Sequence, residues 1–243
     1  MEKLAEVVNK TLGGLIQQAE SCRSRESTPI SEKPSSTNDD GSAHILKNIK
    51  QYMQQQGAPE LLALAKLDDF GIDMQTLVTE ALGSGRSLFL YGLPGRGKSH
   101  LAAALMREAL ISPMRKRGVL FQNVGMSLLK IKSTFSGQTE ASEYEMIEQF
   151  SGHYFLVLDE LGLAKPTEWN VLTIDAIIDQ RYLNQMHSRT IITSNLTIDE
   201  IGVKYDDRIA SRIAGMCEIV EVKGPDQRMT NVKERKAGEK KEE

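Results

Sequence analysis

The chain of 243 residues has little of several features on which particular protein classes depend. Its two cysteines, Cys22 and Cys217, are far apart and in no metal-ligand spacing. This argues against a zinc module or disulfide scaffold and for a reducing compartment. No apolar run approaches the ~18 residues of a membrane-spanning helix, and the N-terminus has mixed charge, unlike a signal peptide. We therefore expect a cytoplasmic protein with no membrane partner.

An excess of one charge is also lacking, because 30 lysines and arginines oppose 33 aspartates and glutamates. Bulk electrostatic attraction to nucleic acid is therefore excluded, and any such contact requires a local patch. The length allows one large domain, or a domain of roughly 150–180 residues with an appendage.

One stretch, Gly92–Ser99, fits the pattern G-x-x-x-x-G-K-[ST] of a phosphate-binding loop. A buried strand is predicted just before it at Ser87–Tyr91, and a helix just after it at Lys98–Ile111, which is the context the motif needs. The alternative is a chance glycine-rich turn, and the flanking elements favour a nucleotide site. ATP and Mg²⁺ are the expected cofactors. The predicted nucleotide-binding residues are Gly92, Leu93, Pro94, Gly95, Arg96, Gly97, Lys98, Ser99 and His100.

Strands alternate with helices along most of the chain, which predicts an α/β fold with a parallel sheet and helices on both faces. Further strands are predicted at 119–124, 154–160, 189–195 and 217–222. Further helices are predicted at 43–56, 60–67, 74–82, 126–135, 143–150, 171–186, 199–203 and 207–214.

The strand at 154–160 ends in two acids, Asp159 and Glu160. Asp159 is predicted to hold Mg²⁺ together with Ser99, and Glu160 to act as general base on the attacking water. The alternative is that two acids merely end a strand. The spacing of about sixty residues after a phosphate-binding loop favours the catalytic interpretation.

Polar residues later in the chain extend this predicted site. Asn195, which ends an apolar strand, is predicted to lie between the acids and the γ-phosphate and to orient the water. Arg208 and Arg212 share one helix face, and either could be an arginine finger acting on a neighbouring subunit's nucleotide. The alternative for them is a local surface ion pair. Arg228 is a candidate second contact to the nucleotide.

The N-terminal region differs in character from the rest of the chain. Residues 1–22 contain a predicted amphipathic helix at 2–20, and residues 23–43 form a polar predicted linker. That helix either folds back on the domain, self-associates, or docks a partner. The ATPase domain is placed at 44–230 and a charged tail at 231–243.

Taken together, Gly92–Ser99, Leu156–Glu160, Thr193–Asn195 and Arg208–Arg212 resemble an AAA+ ATPase (ASCE class) of the initiator type. More narrowly, the chain resembles the DnaC/IstB-like group and its DnaC-type helicase loaders. This narrower likeness rests on residues 131–136, 145–150, 155–162, 177–181 and 190–196 and on a closing Arg228.

The resemblance implies a homo-oligomer that holds a hexameric replicative helicase open and places it on single-stranded DNA during initiation of replication, with ATP as a switch. The residues predicted to be catalytic are Lys98, Glu160, Asn195 and Arg212. The resemblance also implies DNA contacts through the helical insertion that precedes the acid-bearing strand, at Lys130, Lys132, Ser133, Thr134 and Phe135. Two cations and an aromatic ring suit single-stranded DNA. The alternative is that Phe135 is core and the lysines are merely solvated.

Two rival functions stay open at this point. An IstB-type transposition helper would bind duplex DNA and a transposase, and the ATPase core alone does not separate it from a loader. A small-molecule kinase is disfavoured by Glu160, Asn195 and the arginine helix.

Overall fold

The structure, a computed structural model, describes residues 40–134 and 142–227. Its centre is a five-stranded sheet in the order β2-β3-β4-β1-β5, in which every pairing is parallel. The predicted parallel sheet is confirmed. Its strands are β1 (Ser87–Tyr91), β2 (Val119–Asn123), β3 (Phe155–Leu161), β4 (Arg189–Ser194) and β5 (Cys217–Glu221).

Helices cover both faces of this sheet. They are α1 (Asp40–Lys47), α2 (Ile49–Gln55), α3 (Ile72–Gly83), α4 (Lys98–Ile111), α5 (Val124–Ser133), α6 (Glu143–Ser151), α7 (Glu168–Leu183), α8 (Ile198–Lys204) and α9 (Asp207–Met216). Among the residues described, no helix has the length and apolar character needed to cross a membrane.

The sheet separates two apolar cores, and alternate residues of β1 point into each. Leu88 and Leu90 pack with α4 in one core, while Phe89 packs with α7 and α9 in the other. All three side chains are fully buried. A strand covered on both faces needs apolar side chains on both, which explains the unbroken apolar run before the phosphate-binding loop.

Near the start of the domain one predicted helix is confirmed with an interruption and another is wrong. The helix expected at 43–56 is interrupted at Asn48, whose side-chain amide donates to the carbonyl of His44 and competes with the helical backbone. In place of a helix at 60–67 there are two 3₁₀ turns, Glu60–Leu62 and Leu67–Asp69. The spacing of apolar residues at 60–67 wrongly predicted a helix, because Ala63 and Ala65 are buried while Leu61 is 90% exposed.

Several predictions concern residues that lie outside the described part of the chain. They are the amphipathic helix at 2–20, most of the linker at 23–43, Phe135, Arg228 and the tail at 231–243. The remaining helices and strands are confirmed, with ends that differ from the predicted ones by up to three residues.

A buried arginine joins α7 to the amino-terminal ends of β3 and β4. Arg181 is 1% exposed, and burial lowers the pKa of its guanidinium to about 10. Its Nε donates to Thr190 Oγ1 at 2.8 Å. Its two terminal nitrogens donate to backbone carbonyls, those of Ser151, His153, Tyr154 and Arg189. The guanidinium therefore satisfies acceptors from three elements at once.

Candidate nucleotide site

The loop Gly92–Ser99 leaves the carboxyl end of β1 and runs into α4, as predicted. Gly92 has φ 144°, and a Cβ there would stand 2.7 Å from the carbonyl oxygen of Val222. Gly95 has φ 76°, and a Cβ there would overlap the carboxylate of Asp226. Backbone conformation therefore favours glycine at both positions, and at Gly92 the close approach of the Val222 backbone also requires it.

Lys98 is the first residue of α4 and is 7% exposed. Its Nζ donates to the carbonyls of Gly92 at 2.7 Å and Leu93 at 2.8 Å, so the ammonium lies inside the curve of the loop. Gly97, the N-cap of α4, has no side chain that could cap the first amides of the helix, which are left for another acceptor. A buried cation beside a helix N-terminus suits a phosphate group.

The two predicted magnesium ligands lie together. Asp159, at 6% exposure near the end of β3, is hydrogen bonded to the Ser99 hydroxyl and accepts a 2.7 Å bond from Thr193 Oγ1. Burial raises the pKa of Asp159, and these two hydrogen bonds oppose the rise. A carboxylate and a hydroxyl are hard oxygen donors of the kind that Mg²⁺ prefers, so the pair fits this ion.

Glu160 has an unusual backbone. Its φ is 63°, and among the described non-glycine residues it is the one with positive φ. The β3–β4 register shifts between Leu158 and Leu161, and the Glu160 amide donates to Thr193 Oγ1 at 2.9 Å. A residue held in the left-handed region is strained, and such strain is common at functional sites.

Asn123 is a site residue that sequence reasoning missed. Its Nδ2 donates to Glu160 Oε2 at 2.8 Å, while its Oδ1 accepts from the amide of Met126 and caps α5. The sequence offered one signal for it, because asparagine is a preferred N-cap residue and stands here between a predicted strand and a predicted helix. In the parallel register of β2 with β3, Asn123 lies opposite Asp159. Identifying it required knowledge that β2 and β3 are neighbours.

Asn195 and His100 were also predicted to belong to the site. Asn195 is exposed just beyond β4, and its side chain makes no hydrogen bond within residues 40–134 and 142–227, while Thr193 contacts both acids. His100 Nε2 pairs with Asp69 Oδ2 at 2.7 Å, and its ring lies against Phe70. His100 thus ties the turn before α3 to the helix after the phosphate-binding loop.

The two predicted finger arginines have different surroundings on α9. Arg208 is exposed, and its Nε lies 3.2 Å from Asp206. Arg212 is 26% exposed and pairs with Asp175 at 2.5 Å and Asp179 at 2.9 Å, both on α7. The acidic partners of Arg212 come from another helix and not from its own neighbours in sequence, because α7 packs against α9.

The candidate DNA-binding residues end α5. Lys130 and Lys132 are exposed, and Lys132 Nζ lies 6.0 Å from the centroid of the Trp169 ring. Ser133 and Thr134 donate their hydroxyl hydrogens to carbonyls of their own helix, Lys130 and Ile131. The described part of this set therefore presents two lysines to solvent and two hydroxyls already engaged locally.

Comparison with known proteins identifies the family. Residues 74–235 match the family described as IstB-like ATP binding protein. The chain belongs to this family. It is also similar to the Escherichia coli (strain K12) protein named Replicative helicase loader DnaC, with 29% identity over 136 residues, 56% of this chain and 53% of that protein. The chain thus spans about half the length of the curated relatives it matches.

Solved structures share the fold. The crystal structure of the DnaC helicase loader has a TM-score of 0.55 and 22% identity, and the match covers 68% of this chain and 100% of that one. AMPPCP-bound DnaA from Aquifex aeolicus also has a TM-score of 0.55, with 23% identity, covering 70% of this chain and 54% of the other. The IstB-like chain therefore has the AAA+ fold, as predicted.

Proposed function

We propose that this IstB-like protein is an Mg²⁺-dependent ATPase that loads a hexameric replicative DNA helicase onto single-stranded DNA, with hydrolysis as its switch. The observation that carries the enzymatic part is the meeting of Lys98, Ser99, Asp159 and Glu160 at the carboxyl edge of one sheet. The loader part is supported by similarity to proteins named replicative helicase loaders.

Each residue of the site has a separate proposed role in binding or hydrolysing ATP. Lys98 and the first amides of α4 bind the β- and γ-phosphates and neutralise their charge. Ser99 and Asp159 hold Mg²⁺, which supplies further neutralisation of the phosphate oxygens when bound. Glu160 accepts the proton of the attacking water, and Asn123 orients its carboxylate through the 2.8 Å bond. Asn195 and Arg228 keep their proposed roles, in orienting the water and contacting the nucleotide.

Arg212 is the proposed finger, acting on the nucleotide of a neighbouring subunit in a homo-oligomer. We expect Arg212→Ala to preserve nucleotide binding by the isolated chain. Oligomer-dependent hydrolysis should fall by roughly 10³-fold, because the guanidinium no longer stabilises the negative charge of the transition state. Nucleotide titration of the isolated chain and hydrolysis measured against protein concentration test this.

Asp179→Asn is the matched control for the finger assignment. It removes one ion pair of Arg212 but leaves the guanidinium in place. We expect it to retain oligomer-dependent hydrolysis. If Asp179→Asn loses as much activity as Arg212→Ala, or if Arg212→Ala hydrolyses normally when assembled, Arg212 serves only to pack α9 on α7.

The DNA contact is proposed at the end of α5, where Lys130 and Lys132 are exposed. Two lysines neutralise phosphates, and Phe135 completes the set as a stacking residue. Ser133 and Thr134 belong to the proposed contact through the same stretch of chain, with hydroxyls that bond to their own helix.

The test of the loader function is light scattering on size-exclusion fractions of this protein mixed with the replicative helicase of the same genome and ATP. We expect a stable complex that is lost when residues 1–22 are deleted, because the apolar face predicted at 2–20 needs a partner surface. A complex that survives the deletion would place the docking element elsewhere in the chain.

The second candidate is an IstB-type transposition helper, favoured by the description of the matching family. It predicts no helicase complex and ATP-dependent filaments on duplex DNA. Binding to fluorescent single- and double-stranded oligonucleotides of equal length separates the two, because a loader prefers the single strand. Preference for duplex together with filaments would replace the loader proposal.

A further inference from the structure

The segment that follows Glu160 is held by side chains from two other elements. Ser194 Oγ, at the end of β4, donates to the carbonyl of Leu161. Lys204 Nζ donates to the carbonyl of Gly162 at 2.5 Å, and the Tyr205 hydroxyl donates to that of Ala164 at 2.9 Å. Three of the four carbonyls at 161–164 thus accept hydrogen bonds from side chains.

These contacts act on a strained part of the backbone. Glu160 has φ 63°, Gly162 has φ 110°, and the strand register is shifted between Leu158 and Leu161. A non-glycine residue stays in the left-handed region only when its surroundings hold it there. The groups that hold it include Thr193 on the Glu160 amide, the Leu163 amide on the Glu160 carbonyl, and the side-chain donors to three of the next four carbonyls.

Lys204 and Tyr205 stand at the junction between α8 and the arginine-bearing helix. Lys204 is the last residue of α8 and Tyr205 its C-cap, and Asp206 then caps α9. The Tyr205 ring is 9% exposed and belongs to the core beneath α9, and Lys204 Nζ lies 5.8 Å from its centroid. A shift of α9 therefore moves both donors together.

We infer that Lys204 and Tyr205 are positioning residues that couple the arginine helix α9 to the backbone conformation of Glu160. This inference rests on the proposed ATPase function. Through these contacts, a movement of α9 changes the position of the Glu160 carboxylate in the same subunit. Contact of α9 with a neighbouring subunit then sets the orientation of Glu160 in the subunit that carries α9.

The test compares Lys204→Met and Tyr205→Phe, which remove the ammonium and the hydroxyl but keep the apolar parts. In the assembled protein we expect kcat for ATP to fall about tenfold for each, because loss of the restraint misplaces Glu160. The affinity for a non-hydrolysable ATP analogue is expected to stay within about twofold, since the phosphate-binding loop is untouched. Lys204→Arg is expected to restore most of kcat because it keeps a cationic donor.

Two matched controls come from exposed residues of the same types. Lys165→Met lies in the same loop, and Tyr144→Phe lies on α6 with 64% of its side chain exposed. Both are expected to keep native kcat. Amide hydrogen exchange of the peptide covering 158–166 gives a readout that is independent of turnover. We expect its exchange to be faster in the Lys204→Met and Tyr205→Phe proteins and unchanged in both controls.

The outcomes separate this inference from the function on which it rests. If Lys204→Met and Tyr205→Phe keep native kcat while Glu160→Gln is inactive, the coupling is overturned and the ATPase stands. If Glu160→Gln itself hydrolyses ATP at the native rate, the proposed role of Glu160 fails first. Equal losses in kcat and in analogue affinity would mean general destabilisation and would also overturn the coupling.

Discussion

Glu160→Gln leaves nucleotide binding intact and lowers ATP turnover by about 100-fold or more. The amide keeps the size and hydrogen-bonding reach of the carboxylate but cannot accept a proton from water, and a positioned general base contributes about 10²–10⁴-fold. Because Glu160 lies beyond the phosphate-binding loop, the Kd for ATP is expected to change by no more than about twofold. Steady-state hydrolysis and equilibrium nucleotide titration measure the two quantities separately.

Two further variants define what this result means. Lys98→Ala is expected to abolish nucleotide binding, since the buried ammonium inside the loop is the group predicted to neutralise the phosphates. Glu168→Gln, which changes an exposed acid at the start of α7, is expected to behave as the native protein. Native turnover in Glu160→Gln would remove the general-base assignment, whatever Lys98→Ala shows.

Arg181→Met lowers the free energy of unfolding by about 3 kcal/mol. Methionine removes the cost of desolvating a buried charge, which raises the stability of the variant. However, it leaves one hydroxyl and four carbonyls without the donor that Arg181 now provides. Each unsatisfied buried group costs about 1–3 kcal/mol, so the losses outweigh the relief. Urea unfolding followed by circular dichroism gives the free energy from the transition midpoint and slope.

The comparison variants for Arg181 address charge and surface position. Arg181→Lys keeps the charge but loses the planar fork that reaches several acceptors, so an intermediate loss is expected. Arg208→Met, at a guanidinium whose side chain is 73% exposed, is expected to change stability by less than about 0.5 kcal/mol. A loss below about 1 kcal/mol for Arg181→Met would mean that the carbonyls find other donors.

Much of the candidate site could be predicted because its residues are neighbours in sequence. The loop Gly92–Ser99, the strand before it and the helix Lys98–Ile111 form one continuous segment, and their boundaries agree with the structure. Asp159 and Glu160 were predictable from the apolar strand that they end. Contiguous motifs of this kind depend on local backbone conformation and on hydrophobic periodicity, which the residue order expresses directly.

Predictions that depended on spatial neighbours fared less well. Ala63 and Ala65 face the core while Leu61 and Leu64 are exposed, because α4 and the turns before α3 approach closely there. Asn195 was the residue of this strand predicted to act near the acids, and no role was assigned to Thr193. The register of β3 with β4 places Thr193, with its shorter side chain, against Asp159 and the Glu160 amide.

The sequence by itself determined the fold class, the phosphate-binding loop and the pair of acids. Only the tertiary structure decided which side chains hold those acids: Asn123 on Glu160, Ser99 and Thr193 on Asp159, and Lys204 and Tyr205 on the loop beyond. The physical reason is that these contacts join residues about 30 to 60 positions apart, and they depend on strand order and helix packing. Neither is expressed in any local pattern of residues.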